Sequence, residues 1–96
     1  MSKRLANIQA NVGRMYDARG YTNDLPTLAL GLCEEAGEVA KAVNTYHNPH
    51  YKVKSNKIAG NLKEELKDVM IYLLSIANAA GIDMEDIMEQ KLKEFE

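Results

Sequence analysis

The 96-residue chain has no tryptophan, one phenylalanine and a single cysteine, Cys33. One thiol can form neither an internal disulfide nor a multi-cysteine zinc site, which fits a reducing compartment, the cytoplasm. Without tryptophan the usual platform for stacking on a base is missing. An excess of positive charge is missing too: 12 Lys and Arg are scattered among 14 Asp and Glu, the net charge is −2 and the pI is near 5.7. Such a chain has no basic field with which to follow a phosphate backbone, so duplex nucleic acid is excluded as a partner. The opening "MSKRLANIQANVGR" mixes charge into its apolar pattern, and no uninterrupted apolar run reaches signal-peptide or membrane length. Repeats, low-complexity tracts and β-branched alternation are absent as well. What is present is 46% hydrophobic and 27% charged residues, the make-up of a folded globular chain. The length predicts one domain over residues 1–96. A domain this small removes only a modest share of its surface from water, so help from a second chain is expected.

Apolar periodicity predicts an all-α bundle of about four helices. Leu5, Ile8, Val12 and Met15 mark one face of a helix from Lys3 to Arg19, stopped by Gly20. Asp24 and Pro26 start a second helix that runs to about Tyr46, with Leu28, Leu32, Ala36, Val39 and Val43 as its inner stripe. Asn48 and Pro49 end it, and "HNPHYKVKSNK" reads as a loop between two long antiparallel core helices. The third helix spans roughly 58–80, with Leu62, Leu66, Val69, Leu73, Ile76 and Ala80 inward and Gly81 as its stop. Asp83 caps a fourth helix carrying Met84, Ile87, Met88, Leu92 and Phe95. Leu30, Ile71 and Leu74 fall outside the main stripes, which predicts a second contact surface and a homodimer or homotetramer.

Acidic residues on the two long helices are the chemically informative feature. At about 100° per residue, Glu35 lies roughly 20° from the stripe centre of the second helix, Glu38 about 80° on the same side and Glu34 near 120°, closer to solvent. On the third helix Glu65 lies about 60° and Asp68 about 120° from the centre, with Tyr72 near 80° between them. Each helix thus projects two carboxylates at i, i+3 towards one region, and an antiparallel pairing brings all four together. Moving one ionised carboxylate into low dielectric costs several kcal/mol, so the cluster needs a balancing charge. Oxygen ligands without His or Cys suit a hard divalent ion, Mg²⁺ or Mn²⁺, whereas di-iron bundles add Glu-x-x-His pairs that this chain lacks. The competing reading is a solvated acidic face on each helix, since Glu favours helices.

The pattern Glu34-Glu35-x-x-Glu38, then 26 residues, then Glu65-x-x-Asp68, closely resembles the MazG-like all-α nucleoside triphosphate pyrophosphohydrolases. The surrounding "LALGLCEEAGEVAKAVN" and "LKEELKDVMIYLLSIANAAGID" look like that family's two core helices and following turn. The resemblance implies hydrolysis between the α- and β-phosphates to a monophosphate and pyrophosphate, with Glu35, Glu38, Glu65 and Asp68 as Mg²⁺ ligands. Glu34 is read as orienting or deprotonating the attacking water, holding an additional metal, or only forming a surface contact. Tyr72 resembles a family position near the nucleotide, or is a core tyrosine with its hydroxyl at the rim, and Lys91 resembles the family's last-helix Lys. Asn61, on the same face of the third helix, reads as a hydrogen-bonding contact to the ligand. House-cleaning of noncanonical nucleotides is the family's usual purpose. Many members follow the last-helix Lys with Asn and Arg that hold phosphate, but "KLKEFE" supplies neither. Phosphoribosyl-ATP hydrolysis, by a family sharing these helices, and a non-catalytic metal- or nucleotide-binding module are the alternative readings.

His47 and His50 read as exposed loop histidines, and Lys52, Lys54 and Lys57 as loop-solvating charges or guides for polyphosphate. Cys33, with no partner base, reads as a small packing residue, and Met15, Met70, Met84 and Met88 as core filler.

Overall fold

The computed structural model describes residues 3–47 and 55–96. Four helices make it up: α1 Arg4–Arg19, α2 Leu25–His47, α3 Ser55–Ala80 and α4 Met84–Lys93. Among the described residues there is no strand, and the fold is all-α. His47 belongs to α2, α3 begins three residues before the expected position, and His50, Lys52 and Lys54 lie outside the described residues.

The helix ends follow from local chemistry. Gly20 and Gly81 take left-handed backbone conformations, φ 65° and 70°. At each, the next amide reaches back across the last turn, Tyr21 N to Tyr16 O at 3.0 Å and Ile82 N to Ala77 O at 2.8 Å. Asp24 Oδ2 caps α2 by accepting from Thr27 N and Thr27 Oγ1, at 3.1 and 2.7 Å. Asp83 does the same for α4 through Asp86 N at 3.3 Å. Lys3 gives α1 no side-chain cap. Glu85 supplies it from α4, accepting from Leu5 N at 3.1 Å and Ala6 N at 3.3 Å, where its charge also complements the helix dipole.

The α2–α3 pair is the backbone of the fold, and α1 packs on α3. Going forward along α2 from Gly31 to Glu35 meets α3 going backward from Tyr72 to Asp68, so the two run antiparallel. Gln9 of α1 is 7% exposed and fully satisfied. Its Nε2 donates to Ile82 O (2.7 Å) and Asn78 Oδ1 (3.0 Å), and its Oε1 accepts from Met84 N (3.1 Å). Asn78 Nδ2 returns a bond to Gln9 O at 3.0 Å. This double amide clamp fixes α1 against the α3–α4 turn, where an unpaired buried amide would be costly.

Burial differs from the expected pattern on α3. Leu28, Leu74 and Ala77 are buried, whereas Leu66 and Leu73 of the expected inner stripe are 52% and 36% exposed. Leu74, assigned to an outer surface, is core at 1% exposure, on a helix that packs against both α1 and α2; Ile71 is half-buried. Met70 and Met88 are exposed rather than core filler, and Cys33 is exposed rather than packed. Both α3 differences have one cause. The helix is apolar on more than one side, and periodicity identifies stripes without saying which neighbour covers them.

Candidate metal centre and adjoining cavity

Glu35 comes from the middle of α2, and Glu65 and Asp68 from successive turns of α3. Each offers a carboxylate oxygen, and these atoms all lie within 4.8 Å of one another; all three side chains are half-buried. Glu38 is exposed and outside this triad, but close enough for its charge to act on Glu35. Glu34 is exposed, one position round the helix towards solvent. Lys67 pairs with Glu64 on the outer side and stands 3.8 Å from Asp68 Oδ1.

Crowding of like charge shows in protonation. Partial burial, then the charge of Asp68, then a proton shared with Glu65, raise the Glu35 pKa above its ordinary value; the charges of Glu65 and Glu38 add to this. A carboxyl with a raised folded-state pKa binds its proton more tightly in the native chain than in the unfolded one. The stability this confers is fully present below the ordinary Glu value and is lost as pH rises through the raised one. The expected result concerns Glu35→Gln in metal-free buffer. Its melting temperature should match wild type near about pH 4, exceed it at about pH 7, and fall below it at pH 7 once Mg²⁺ is added. Calorimetry of both proteins with and without Mg²⁺ checks this, and a pH-independent difference would contradict it.

Tyr72 lines the same region, with its hydroxyl pKa raised by burial and then by Tyr16, Glu35, Glu34 and Asp68. Its ring lies directly on the α2 backbone at buried Gly31. A Cβ at Gly31 would sit 2.5 Å from Tyr72 Cζ and 2.8 Å from Oη, so only glycine admits the ring. Gly31→Ala should therefore destabilise by about 1–2 kcal/mol, overpacking outweighing the helix-propensity gain of about 1 kcal/mol. In a Tyr72→Ala background the same change should become stabilising. Urea unfolding of the double-mutant cycle reads the sign.

Beside the carboxylates opens a cavity of about 530 Å³, whose lining includes Glu35, Asp68 and Tyr72 together with Tyr16, Arg19 and Tyr21. Asn61 is exposed on α3, and Lys91 donates to Glu94 at 2.9 Å with its ammonium 5.6 Å from the Phe95 ring; neither lines the cavity. Sequence reasoning missed Tyr16, Arg19 and Tyr21. The available signal was "YDARGYT", two tyrosines and an arginine gathered round the glycine stop of α1.

Among the described residues no helix is long and apolar enough to cross a membrane. Comparison with known proteins matches residues 24–96 to the MazG nucleotide pyrophosphohydrolase domain. The chain is 34% identical over 103 residues to the uncharacterized protein YvdC of Bacillus subtilis (strain 168), covering 97% of each. It is 32% identical over 95 residues to the uncharacterized protein YpjD of the same organism, covering 97% of this chain and 84% of that one.

Proposed function

The chain belongs to the MazG nucleotide pyrophosphohydrolase family, and from that premise we propose that it hydrolyses nucleoside or deoxynucleoside triphosphates to monophosphate and pyrophosphate with Mg²⁺. The observation that carries this is the half-buried Glu35, Glu65 and Asp68 triad, two of whose members, Glu35 and Asp68, line an open cavity. The donor set fits such an ion. It is all oxygen, with no His or Cys in the group, and its mutual repulsion is visible at Glu35. Glu35, Glu65 and Asp68 would hold the ion, joined by Glu38 from the rim; Mn²⁺ satisfies the same ligands. When bound, it would polarise phosphoryl oxygen, lower the pKa of water and reconcile an acidic site with an anionic substrate.

The chain's own residues account for the rest. Carboxylates act as holders rather than nucleophiles. Glu34, exposed beside the triad, would orient the attacking water or take its proton, hold an additional metal, or only form a surface contact. The Tyr72 hydroxyl, protonated near neutral pH like an ordinary tyrosine and pushed further from ionisation by burial, would donate to the substrate. For Lys91 to reach phosphate it must leave Glu94, and its role rests on the family resemblance; that of Asn61 rests on its place on the α3 face. The proposed compartment is the cytoplasm.

A second copy of the chain is part of this reading. Leu66, Met70 and Leu73 stand at i, i+4 and i+7 on α3, all exposed, and Leu30 on α2 is 69% exposed. The radius of gyration, 16.0 Å, exceeds the roughly 12.5 Å of a compact chain this long. Both favour a homodimer or homotetramer.

A panel of ribo- and deoxyribonucleoside triphosphates, with and without Mg²⁺, tests the function when monophosphate and pyrophosphate are quantified together. Equal amounts of the two, only with the metal, are expected. Orthophosphate as sole primary product, or tight binding without turnover, would overturn it.

A further inference from the structure

The far wall of the cavity carries a second chemistry. Thr27 and Glu35 both line it, eight residues apart on α2, so its two ends are separated by about 12 Å along that helix. Carboxylates occupy one end. The other is built by the α1–α2 turn, where Arg19, Tyr21 and Thr22 meet Thr27. These turn residues lie before the span matched to the family, residues 24–96, so the family assignment says nothing of them.

The hydrogen-bonding character of that wall can be worked out group by group. Arg19 is the only basic side chain lining the cavity among the described residues, and a guanidinium donates without accepting. Its Nη1 lies 3.4 Å from Tyr21 Oη, and its Cζ stands 6.0 Å from the centre of the Tyr21 ring. Tyr21 in turn meets Tyr16 edge-on, with ring centres 5.3 Å apart, which limits where Tyr21 and hence Arg19 can go. With Tyr21 Oη accepting from Arg19, its own proton is free to donate. Thr22 Oγ1 accepts from Asp24 N at 3.1 Å, which leaves its proton free in the same way. The strong acceptors, Glu35 and Asp68, sit at the metal end.

We infer that Arg19, supported by Tyr21, is a specificity-determining residue that favours nucleotides whose base presents a keto oxygen over those presenting an amino group at the same position. This rests on the pyrophosphohydrolase reading, which places the phosphates at the carboxylates and the base about 12 Å away. A keto oxygen accepts from the guanidinium, whereas an amino group turns N–H bonds towards N–H bonds and leaves donors unmatched.

Two substrate pairs carry that difference: dUTP against dCTP, and dITP against dATP. Within each, keto replaces amino on one ring carbon while the adjacent ring nitrogen changes from acceptor to N–H donor, a change that offers a guanidinium no acceptor, so the Arg19-dependent part of the ratio reports the keto oxygen. For the full chain with Mg²⁺, kcat/KM should favour the keto member of each pair by about tenfold, the value of one charge-assisted hydrogen bond. Arg19→Met keeps the apolar stem and removes the donors, and should bring both ratios to within about twofold. A wild-type ratio near one would overturn the inference. So would an equal loss on all four nucleotides in Arg19→Met, the signature of a phosphate contact. If none of the four is hydrolysed, the proposed function falls, and calorimetric titration with their α,β-methylene analogues still reads the keto-to-amino preference as an affinity ratio. Equal affinities there would overturn the inference on its own account.

Discussion

Asp68→Asn is expected to lower kcat/KM for triphosphate hydrolysis by about 10³-fold, the scale of removing one preorganised electrostatic group from a reaction centre. The substitution keeps the size and one acceptor oxygen of the side chain and removes its charge. Asp68 is one of three carboxylates whose oxygens lie within 4.8 Å of each other, and its charge is the leading electrostatic influence on Glu35. Taking that charge away relieves repulsion in the metal-free protein, so apo stability should hold or rise while activity collapses. Opposite movement of the two readouts distinguishes a ligand from a structural residue. The Mg²⁺ dependence should shift to higher concentration, because two charged ligands from the triad hold a divalent ion less firmly than three. Glu64→Gln, on the exposed side beside Lys67, is the natural control and should change the rate by less than about twofold. Pyrophosphate release across a Mg²⁺ titration, with thermal melts of the same samples, measures both. An Asp68→Asn enzyme of normal rate would remove the metal-holding role proposed for the triad.

Helix limits were legible because they are written locally. Gly20 and Gly81 stop helices by adopting positive φ, and Asp24 and Asp83 start them by accepting from an amide three residues on; each device lies within six residues of sequence. Phase on α2 was legible in part: Leu28 is buried, Leu32, Glu35 and Val39 are half-buried as the 100° rule requires, while Ala36, Glu38 and Val43 of the expected inner side are exposed. On α3 the rule met a helix apolar on several sides. Leu74 and Ala77 are buried, while Leu66 and Leu73 stay exposed, and no local signal decides that allocation. Gln9 was hidden for a related reason. Its partners Asn78, Ile82 and Met84 lie 69 or more residues away, and a glutamine in a mixed helix looks like a solvent-facing residue until the chain has folded. Arg19 escaped because its significance is a matter of tertiary placement: at the end of α1 it resembles any helix-terminal arginine, and it gains meaning from the open cavity it lines together with Tyr72 and Thr27.

If the proposed homodimer or homotetramer forms through α3, a paired Leu66→Glu, Leu73→Glu substitution is expected to leave a monomer. Exposed leucines singly need no explanation, but Leu66, Met70 and Leu73 form a continuous ridge at helical spacing, all at least 36% exposed. A chain whose buried apolar residues among those described are Leu28, Leu74 and Ala77 has little core of its own. Burying each leucine fully against a second copy would contribute roughly 1.5–3 kcal/mol, so in the proposed assembly the ridge and its symmetric counterpart would supply a large part of a small domain's stability. Two glutamates per copy, brought face to face across a two-fold axis, replace that gain with like-charge repulsion. Sedimentation at several concentrations should show the wild-type assembly and the monomeric variant. The variant should also melt lower, and its melting temperature should lose the concentration dependence that mass action gives an oligomer. The ridge lies on the same helix as Glu65 and Asp68, so a monomer should lose activity along with stability. Wild-type chain that sediments as a monomer at tens of micromolar, with full activity, would show that the ridge serves no second copy.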